Sequence, residues 1–254
     1  MKSFFRQFFP SHRKMPRKPR RRLQLENQYS SIYAVGDVHG CLDQLLRLEE
    51  KIVADAAERD GDKLIVMLGD YIDRGPSSSA VLDHLTAPPP PGFQRICLAG
   101  NHDQMFVDFY DAPSIHSDWL GLGGDETLAS YGVYLDDDLH PLRTQIKTLV
   151  PIDHIGFLRD LPSMVTLGAF CFAHAGIDPR RSLDNQDDEV LLTSRPHEFE
   201  WESYSGQYTV IHGHTPVKEV RLGSRVNLDL KVYESGRLAA LRIKEDGMTV
   251  LLSD

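Results

Sequence analysis

Five short apolar runs, each closed by a polar group and usually with glycine beside it, constrain this chain more than any other feature of its sequence. They span residues 32–35, 64–68, 96–99, 170–173 and 208–211. Their length and their β-branched and aromatic content predict buried strands. The first run leads into Gly36-Asp37-Val38-His39-Gly40, and the second into Gly69-Asp70-Tyr71-Ile72-Asp73-Arg74-Gly75. Gly100-Asn101-His102-Asp103 follows the third, His174-Ala175-Gly176 the fourth, and His212-Gly213-His214-Thr215-Pro216 the fifth. Core formation does not require a carboxylate, amide or imidazole at five strand ends. Glycine allows sharp turns and close ligand approach. Ligands of open α/β sheets bind at the carboxyl ends of strands, so these groups are expected to meet in one crevice.

Helical signals separate the runs. Leu42, Leu45, Leu46, Leu48, Ile52 and Val53 recur at mostly helical spacing, and residues 76–85 read as a helix closed by the proline run 88–91. Further helices are expected over residues 101–110 and near 153–161. Strand–helix alternation predicts a layered α/β domain with substantial parallel pairing. Residues 111–163 are otherwise irregular and contain Gly121, Gly123 and Gly124, while 225–252 read as strands and turns, with one turn at Glu234-Ser235-Gly236. There is no internal repeat. A chain of 254 residues suits one core, and a single domain is expected over residues 31–254.

Charge sets residues 1–30 apart as a basic, disordered appendage. Residues 1–22 hold nine of the 28 Lys and Arg and none of the 37 Asp and Glu, leaving 19 basic against 37 acidic residues beyond them, a net charge of −18. An acidic body disfavours a general nucleic-acid-binding face. Phe4, Phe5, Phe8 and Phe9 beside Lys2 and Arg6 suggest peripheral contact with an anionic membrane surface as an alternative to a plain basic tail. No apolar run reaches the roughly 18–20 residues of a spanning helix. Cys41, Cys97 and Cys171 show neither metal-binding spacing nor a disulfide framework, which places the expected setting in a reducing cytoplasm.

The polar set itself has a chemistry. Carboxylates with imidazoles suit divalent Mn, Fe or Zn. Two such ions about 3.5–4 Å apart clamp a phosphoryl group and activate water near neutral pH. An imidazole held by a carboxylate can protonate the leaving oxygen, and an arginine fork can bind two phosphate oxygens. Taken singly, an Asp-x-His or Asn-His pair is more often a capped turn. Their occurrence together at five strand ends reverses that weighting. The clusters Asp136–Asp138 and 187–189 read as solvated loops, and Met105, Phe106 and Trp119 as packing residues.

The series GDVHG, GDYIDRG, GNHD, HAGI and HGHTP resembles the calcineurin-like metallophosphoesterases. It is closest to the phosphoprotein phosphatase family in its bacterial and phage branch. The resemblance extends over approximately residues 31–243, since WLGLGGDETLASYG (119–132) and HAGIDPRRSLDNQDDEVLLTSR (174–195) also fit that branch. It implies an α/β/β/α sandwich with metal ligands at the carboxyl ends of strands, and two divalent ions, Mn foremost. By motif position Asp37 and His39 would bind the first metal, Asp70 would bridge, and Asn101, His174 and His214 would complete the second. His102 would be the general acid oriented by Asp73, with Arg74 on the phosphate and Arg195 assisting. His212 has no assigned role, because related proteins accept an apolar residue there.

This chain departs from the family pattern in three places. Asp103 stands where protein phosphatases usually carry glutamate and diadenosine tetraphosphatases aspartate. Thr193-Ser194 replaces a usual Trp-Ile, and Asp229-Leu230-Lys231 a usual Asp-Thr-Gly. The resemblance implies a protein serine/threonine phosphatase acting on a phosphoprotein or small phosphorylated substrate, because Asp73 belongs to that pattern. A dinucleoside tetraphosphate or RNA 5′-end hydrolase is the alternative. A non-catalytic scaffold is a more distant one, opposed by the intact ligand set.

Overall fold

Strict alternation along the strands sorts the apolar side chains onto two faces. In β2 (Ser31–Val35), Ile32 and Ala34 join one buried cluster while Tyr33 and Val35 join another. In β3 (Lys63–Met67), Leu64 and Val66 likewise separate from Ile65 and Met67. Period-two geometry makes this sorting automatic, so strands buried on both faces read as continuous apolar runs. The computed structural model describes residues 18–26, 28–135, 139–199, 206–245 and 247–254.

Eight more strands complete two five-stranded sheets. They are β1 (Arg22–Leu25), β4 (Phe93–Cys97), β5 (Met164–Leu167), β6 (Phe170–Ala173), β7 (Thr209–His212), β8 (Arg225–Asn227), β9 (Ala239–Lys244) and β10 (Gly247–Leu252). One sheet has the order β10-β9-β2-β3-β4 and the other β1-β5-β6-β7-β8. β2, β3 and β4 run parallel, as do β6, β7 and β8, while β9 pairs antiparallel with β2. Ile32, Val66, Phe172, Ile211, Val226 and Leu241 share the cluster between the sheets. Helices cover the outer faces, giving the layered α/β sandwich expected.

The helices are α1 (Leu42–Ala56), α2 (Ser78–Thr86), α3 (Asn101–Asp111), α4 (Gly124–Ser130), α5 (Leu139–Leu149), α6 (Ile152–Asp160), α7 (Asp188–Thr193) and α8 (Val232–Ser235). α1 buries Leu45, Leu48, Ile52 and Ala56, one stripe along its length. The stretch 111–163 is more regular than its sequence suggests. Pro141 lies in the first turn of α5, where a missing N–H breaks no helical bond, so it does not interrupt the helix. Leu142, Ile146 and Val150 then return to the core at four-residue spacing. β4 ends at Cys97, earlier than the expected run 96–99: Leu98 still donates to Met67 of β3, but Ala99 turns away to the Pro162 carbonyl.

The appendage expected over residues 1–30 is corrected for its second half. Residues 1–17, including the phenylalanines proposed for a membrane, lie outside the described residues. β1 pairs parallel with β5, and Leu23 and Leu25 pack on the cluster between the sheets. Fixed partners offset the self-repulsion of the basic run. Arg20 donates from Nη1 to the carbonyls of Leu158 (3.1 Å) and Leu161 (2.8 Å) and from Nη2 to Gln104 Oε1 (2.6 Å). Its backbone N–H reaches Asp188 Oδ2 at 2.6 Å. A cation on the orphan carbonyls ending α6 satisfies them and complements the helix dipole. Among the described residues no helix is long and apolar enough to cross a membrane.

Arg20 thereby ties α3, α6 and α7 to the start of β1. Replacing it with alanine should lower stability by about 1–3 kcal/mol, the usual range for losing charged hydrogen bonds. Urea unfolding checks this, and an unchanged midpoint would place the clamp outside the folding energetics.

Candidate metal centre

The strand-end turns depend on backbone conformations that L-residues rarely adopt. His39 (φ 43°), Asp70 (52°), Asp73 (73°), Arg74 (70°) and His214 (66°) all have left-handed backbones. Such geometry costs of order 1–3 kcal/mol per residue and clusters at functional sites. Two glycines give the carboxylates room. A Cβ on Gly100 would sit 2.1 Å from Asp70 Oδ1, and one on Gly213 1.8 Å from Asp37 Oδ1. No side chain fits at either position.

The sequence-selected groups converge around Asp70. Its Oδ1 accepts the His102 backbone N–H at 2.9 Å, while Oδ2 lies 3.3 Å from His174 Nε2 and 3.7 Å from His39 Nε2. Ligand atoms of His39, Asp70 and His102 lie within 4.8 Å of one another, as do those of Asp70, His174 and His214. Asp70 is common to both groups. Asn101 Oδ1 is 3.1 Å from His174 Nε2, and Asp37 Oδ2 accepts the His214 backbone N–H at 3.0 Å. Backbone carbonyls orient two of the rings: Nδ1 of His39 faces Ile72 O (2.8 Å) and Nδ1 of His174 faces Leu68 O (3.0 Å). Nδ1–H must donate there, which turns each Nε2 toward the crevice, as a ligating histidine requires.

Burial sets the protonation states. It pushes His39 down to about 3, against the pull of Asp70, and it pushes His214 to about 3 with help from His174. Both rings are neutral and carry a free lone pair at ordinary pH. Burial would raise the Asp70 carboxyl, but His174 and then His102 hold it well below its usual range. Burial followed by repulsion from Asp229 pushes Asp37 well above its range. Asp37 Oδ1 and His214 Nε2 are buried without a hydrogen-bond partner among the described residues. Unpaired buried acceptors are costly. A divalent cation satisfies both and matches this mixed O/N donor set, so the residues present fit a metal centre.

A second constellation adjoins the first. His102 Nδ1 lies 2.6 Å from Asp73 Oδ2, and Asp73 also accepts from Trp119 Nε1 (2.7 Å) and Thr127 Oγ1 (2.6 Å). Burial acts to lower His102, but Asp70 and Asp73 outweigh it and the ring is raised above its ordinary value. Trp119 packs as expected, stacking on Phe106 at 5.2 Å, and it also fixes Asp73, which apolar patterning did not reveal. Arg74 Nη2 is 3.3 Å from His102 Nε2, with Nη1 on the Tyr233 hydroxyl. Arg195 is exposed, yet its charge reaches His214 and depresses that ring. His212 is wholly buried, with Nδ1 on Gly213 O.

Four residues contribute here to which the sequence attached no role. Thr127 lies within the segment 119–132 without a signal of its own, and Tyr233 carried none. Asp103 accepts the backbone N–H groups of Asp70 and Gly100 (both 2.9 Å) and Tyr71 (3.0 Å), so it fixes the turn that presents Asp70. Asp229 is buried close enough to raise the Asp37 carboxyl. The Asp-x-x preceding α8 was the available signal for it.

A family model of calcineurin-like phosphoesterases matches residues 30–241. The bis(5′-nucleosyl)-tetraphosphatase PrpE [asymmetrical] of Anoxybacillus flavithermus is 27% identical over 229 residues, 83% of this chain and 89% of that protein. A crystal structure assigned by inference as a diadenosine tetraphosphatase superposes with a TM-score of 0.61 at 22% identity, covering 91% of this chain and 97% of that one. A protein serine/threonine phosphatase from Saccharomyces cerevisiae gives 0.58 at 15% identity, covering 91% and 82%. The two structural likenesses concern the fold. With the family match spanning most of its length over a site of this composition, the chain belongs to the calcineurin-like metallophosphoesterases.

Proposed function

We propose that this metallophosphoesterase hydrolyses dinucleoside tetraphosphates asymmetrically, releasing a nucleoside monophosphate and a nucleoside triphosphate. The observation that carries this reading is the name of the relatives aligned over 83% of the chain, at 27% identity in Anoxybacillus flavithermus and in Bacillus velezensis. Asp103 supports it, being the residue usual there in diadenosine tetraphosphatases. The protein-phosphatase expectation rested on Asp73. A carboxylate behind the acid does not by itself select the group that leaves.

Asp37 and His39 would hold one divalent ion, Asn101, His174 and His214 a second, with Asp70 shared between them. Mn, Fe and Zn all suit these donors. When bound, the ions supply an activated water and neutralise charge on the phosphoryl group. Arg74, assisted by Arg195, would hold the phosphoryl oxygens. His102 gives its Nε2 proton to the leaving oxygen as the P–O–P bond breaks and the water oxygen joins phosphorus. Asp73 accepts the Nδ1–H bond and stabilises the imidazolium before transfer.

A second reading, phosphoprotein hydrolysis, has the His102–Asp73 pair in its favour. An alkoxide leaving group needs a proton far more than a departing phosphate does. The Mn-loaded protein should cleave diadenosine tetraphosphate much faster than phosphoserine peptides when the two are assayed in parallel. Dominant phosphopeptide turnover would reverse the assignment. Asp73→Asn should reduce alkyl phosphate turnover by about 10²–10⁴, the contribution of a positioned general acid, and the dinucleotide rate by clearly less. Equal losses on both would remove His102 as proton donor.

Metal binding should itself stabilise the fold. Saturating divalent ion, at about a hundred times its dissociation constant, adds about 2.7 kcal/mol. For a domain of this size that raises the melting temperature by about 5–10 °C. Asp70→Asn should abolish most of that shift, since Asp70 belongs to both ligand groups. A full shift in that variant would place the ions elsewhere.

A further inference from the structure

A cationic corner extends from Arg74 past the residues used by the mechanism above, to Tyr233 and Lys231, which have no part in it. Tyr233 lies edge-on to His39, with ring centroids 5.3 Å apart, and so borders the metal ligands directly. The Arg74 guanidinium stands 4.7 Å from the Tyr233 centroid and the Lys231 ammonium 5.7 Å from it. Both cations are within the range in which an aromatic face attracts positive charge. Arg74 directs its terminal nitrogens to the Tyr233 hydroxyl and to His102 rather than to a carboxylate. Lys231 pairs with Glu234 at 2.5 Å, in a bridge whose side chains are 39% and 59% exposed. Exposed bridges of this kind are weak and yield to a more highly charged partner.

The backbone at Lys231 adds an independent observation. Its φ is +57°, left-handed, at the N-cap of α8. Glycine adopts this conformation freely and a lysine does not. Glycine is also the residue usual at this place in the family pattern. Strain of this type points toward function when the surroundings maintain it. Here it is maintained by Asp229, whose Oδ1 accepts the Lys231 backbone N–H at 2.8 Å. The charge of the same carboxylate raises Asp37, so the turn bearing the amine adjoins the metal centre.

We infer that Lys231, Tyr233 and Arg74 form a second anion seat, which takes the phosphate next to the reacting one in a polyphosphate chain. Arg74 spans the two positions, with one nitrogen toward His102 and the reacting phosphoryl and the other held by Tyr233. Lys231 then supplies the charge that a lone phosphomonoester leaves unused. Two cations beside one ring repel each other until an anion lies between them, so the corner favours a ligand with consecutive phosphates. The seat rests on the reading of this site as a polyphosphate hydrolase and names Lys231 as its specificity determinant.

The test compares inhibition of aryl phosphate turnover by inorganic tripolyphosphate and by orthophosphate, with divalent cation in excess of both. The wild-type protein should bind tripolyphosphate more tightly. In Lys231→Gly that preference should fall about tenfold, the effect of one lost charged contact. Glu234→Gln, which frees the amine, should increase it. Glycine relaxes the left-handed backbone, so the melting temperature of Lys231→Gly should equal or exceed that of the wild type, separating lost binding from lost folding. An unchanged inhibition ratio in Lys231→Gly overturns the seat. If the ratio falls while diadenosine tetraphosphate is not hydrolysed, the seat stands and the proposed substrate fails. If the dinucleotide is hydrolysed and the ratio does not move, the reverse holds.

Discussion

Four carboxylates buried in one small volume set the terms for everything around them. Asp37, Asp70, Asp103 and Asp229 are each at most 3% exposed, and burial acts to raise all four. Like charges this close cannot all ionise unless they are compensated. The fold compensates part of the charge with backbone dipoles: Asp103 takes three N–H groups, and Asp70, Asp37 and Asp229 each take at least one. The imidazoles of His174 and His102 offset another part at Asp70. The remainder is concentrated at Asp37, and there a cation fits. The left-handed turns follow from the same requirement, since they aim several N–H groups at one carboxylate.

Compensation also explains why Asp103 matters although it faces no substrate. Its burial and the neighbouring Asp70 push its carboxyl up to about 7, while the three backbone donors pull it down. A carboxylate so placed acts as a brace: it joins the turn after β3 to the start of α3, the two segments that carry Asp70 and His102. Asp73 does equivalent work one turn further on. Its Oδ2 holds both His102 and Trp119, and Oδ1 holds Thr127. His102 is thereby positioned from α4 and from the aromatic core at once. Shifts of an ångström at such a group are costly in rate, which is why its supports are buried.

Much of this was legible because period-two burial and polar strand ends are written locally. Ile32, Leu64 and Phe172 had to lie inward, and the groups after them had to emerge at one edge. β1 was hidden because Arg20, Arg21 and Arg22 look like a solvated run until their carbonyl partners, 138 or more residues away, are in place. α5 was obscured by Pro141, a breaker only when it lies beyond the first turn. Thr127 and Tyr233 were unreadable for a different reason. A hydroxyl at the right distance from Asp73 or Arg74 has no periodicity, and only tertiary folding creates the relation.

The division between what is buried and what is exposed also separates chemistry from selection. Asp37, His39, Asp70, Asp73, His102 and His174 are nearly inaccessible, and their geometry is fixed by core contacts that any phosphoester would meet alike. The groups that retain exposure lie around them: Arg74, Arg195, Lys231 and Tyr233. There, this chain places an amine on a backbone that would prefer glycine. The strain at Lys231 is held by Asp229, which also raises the Asp37 carboxyl, so the rim shares a support with the buried ligands.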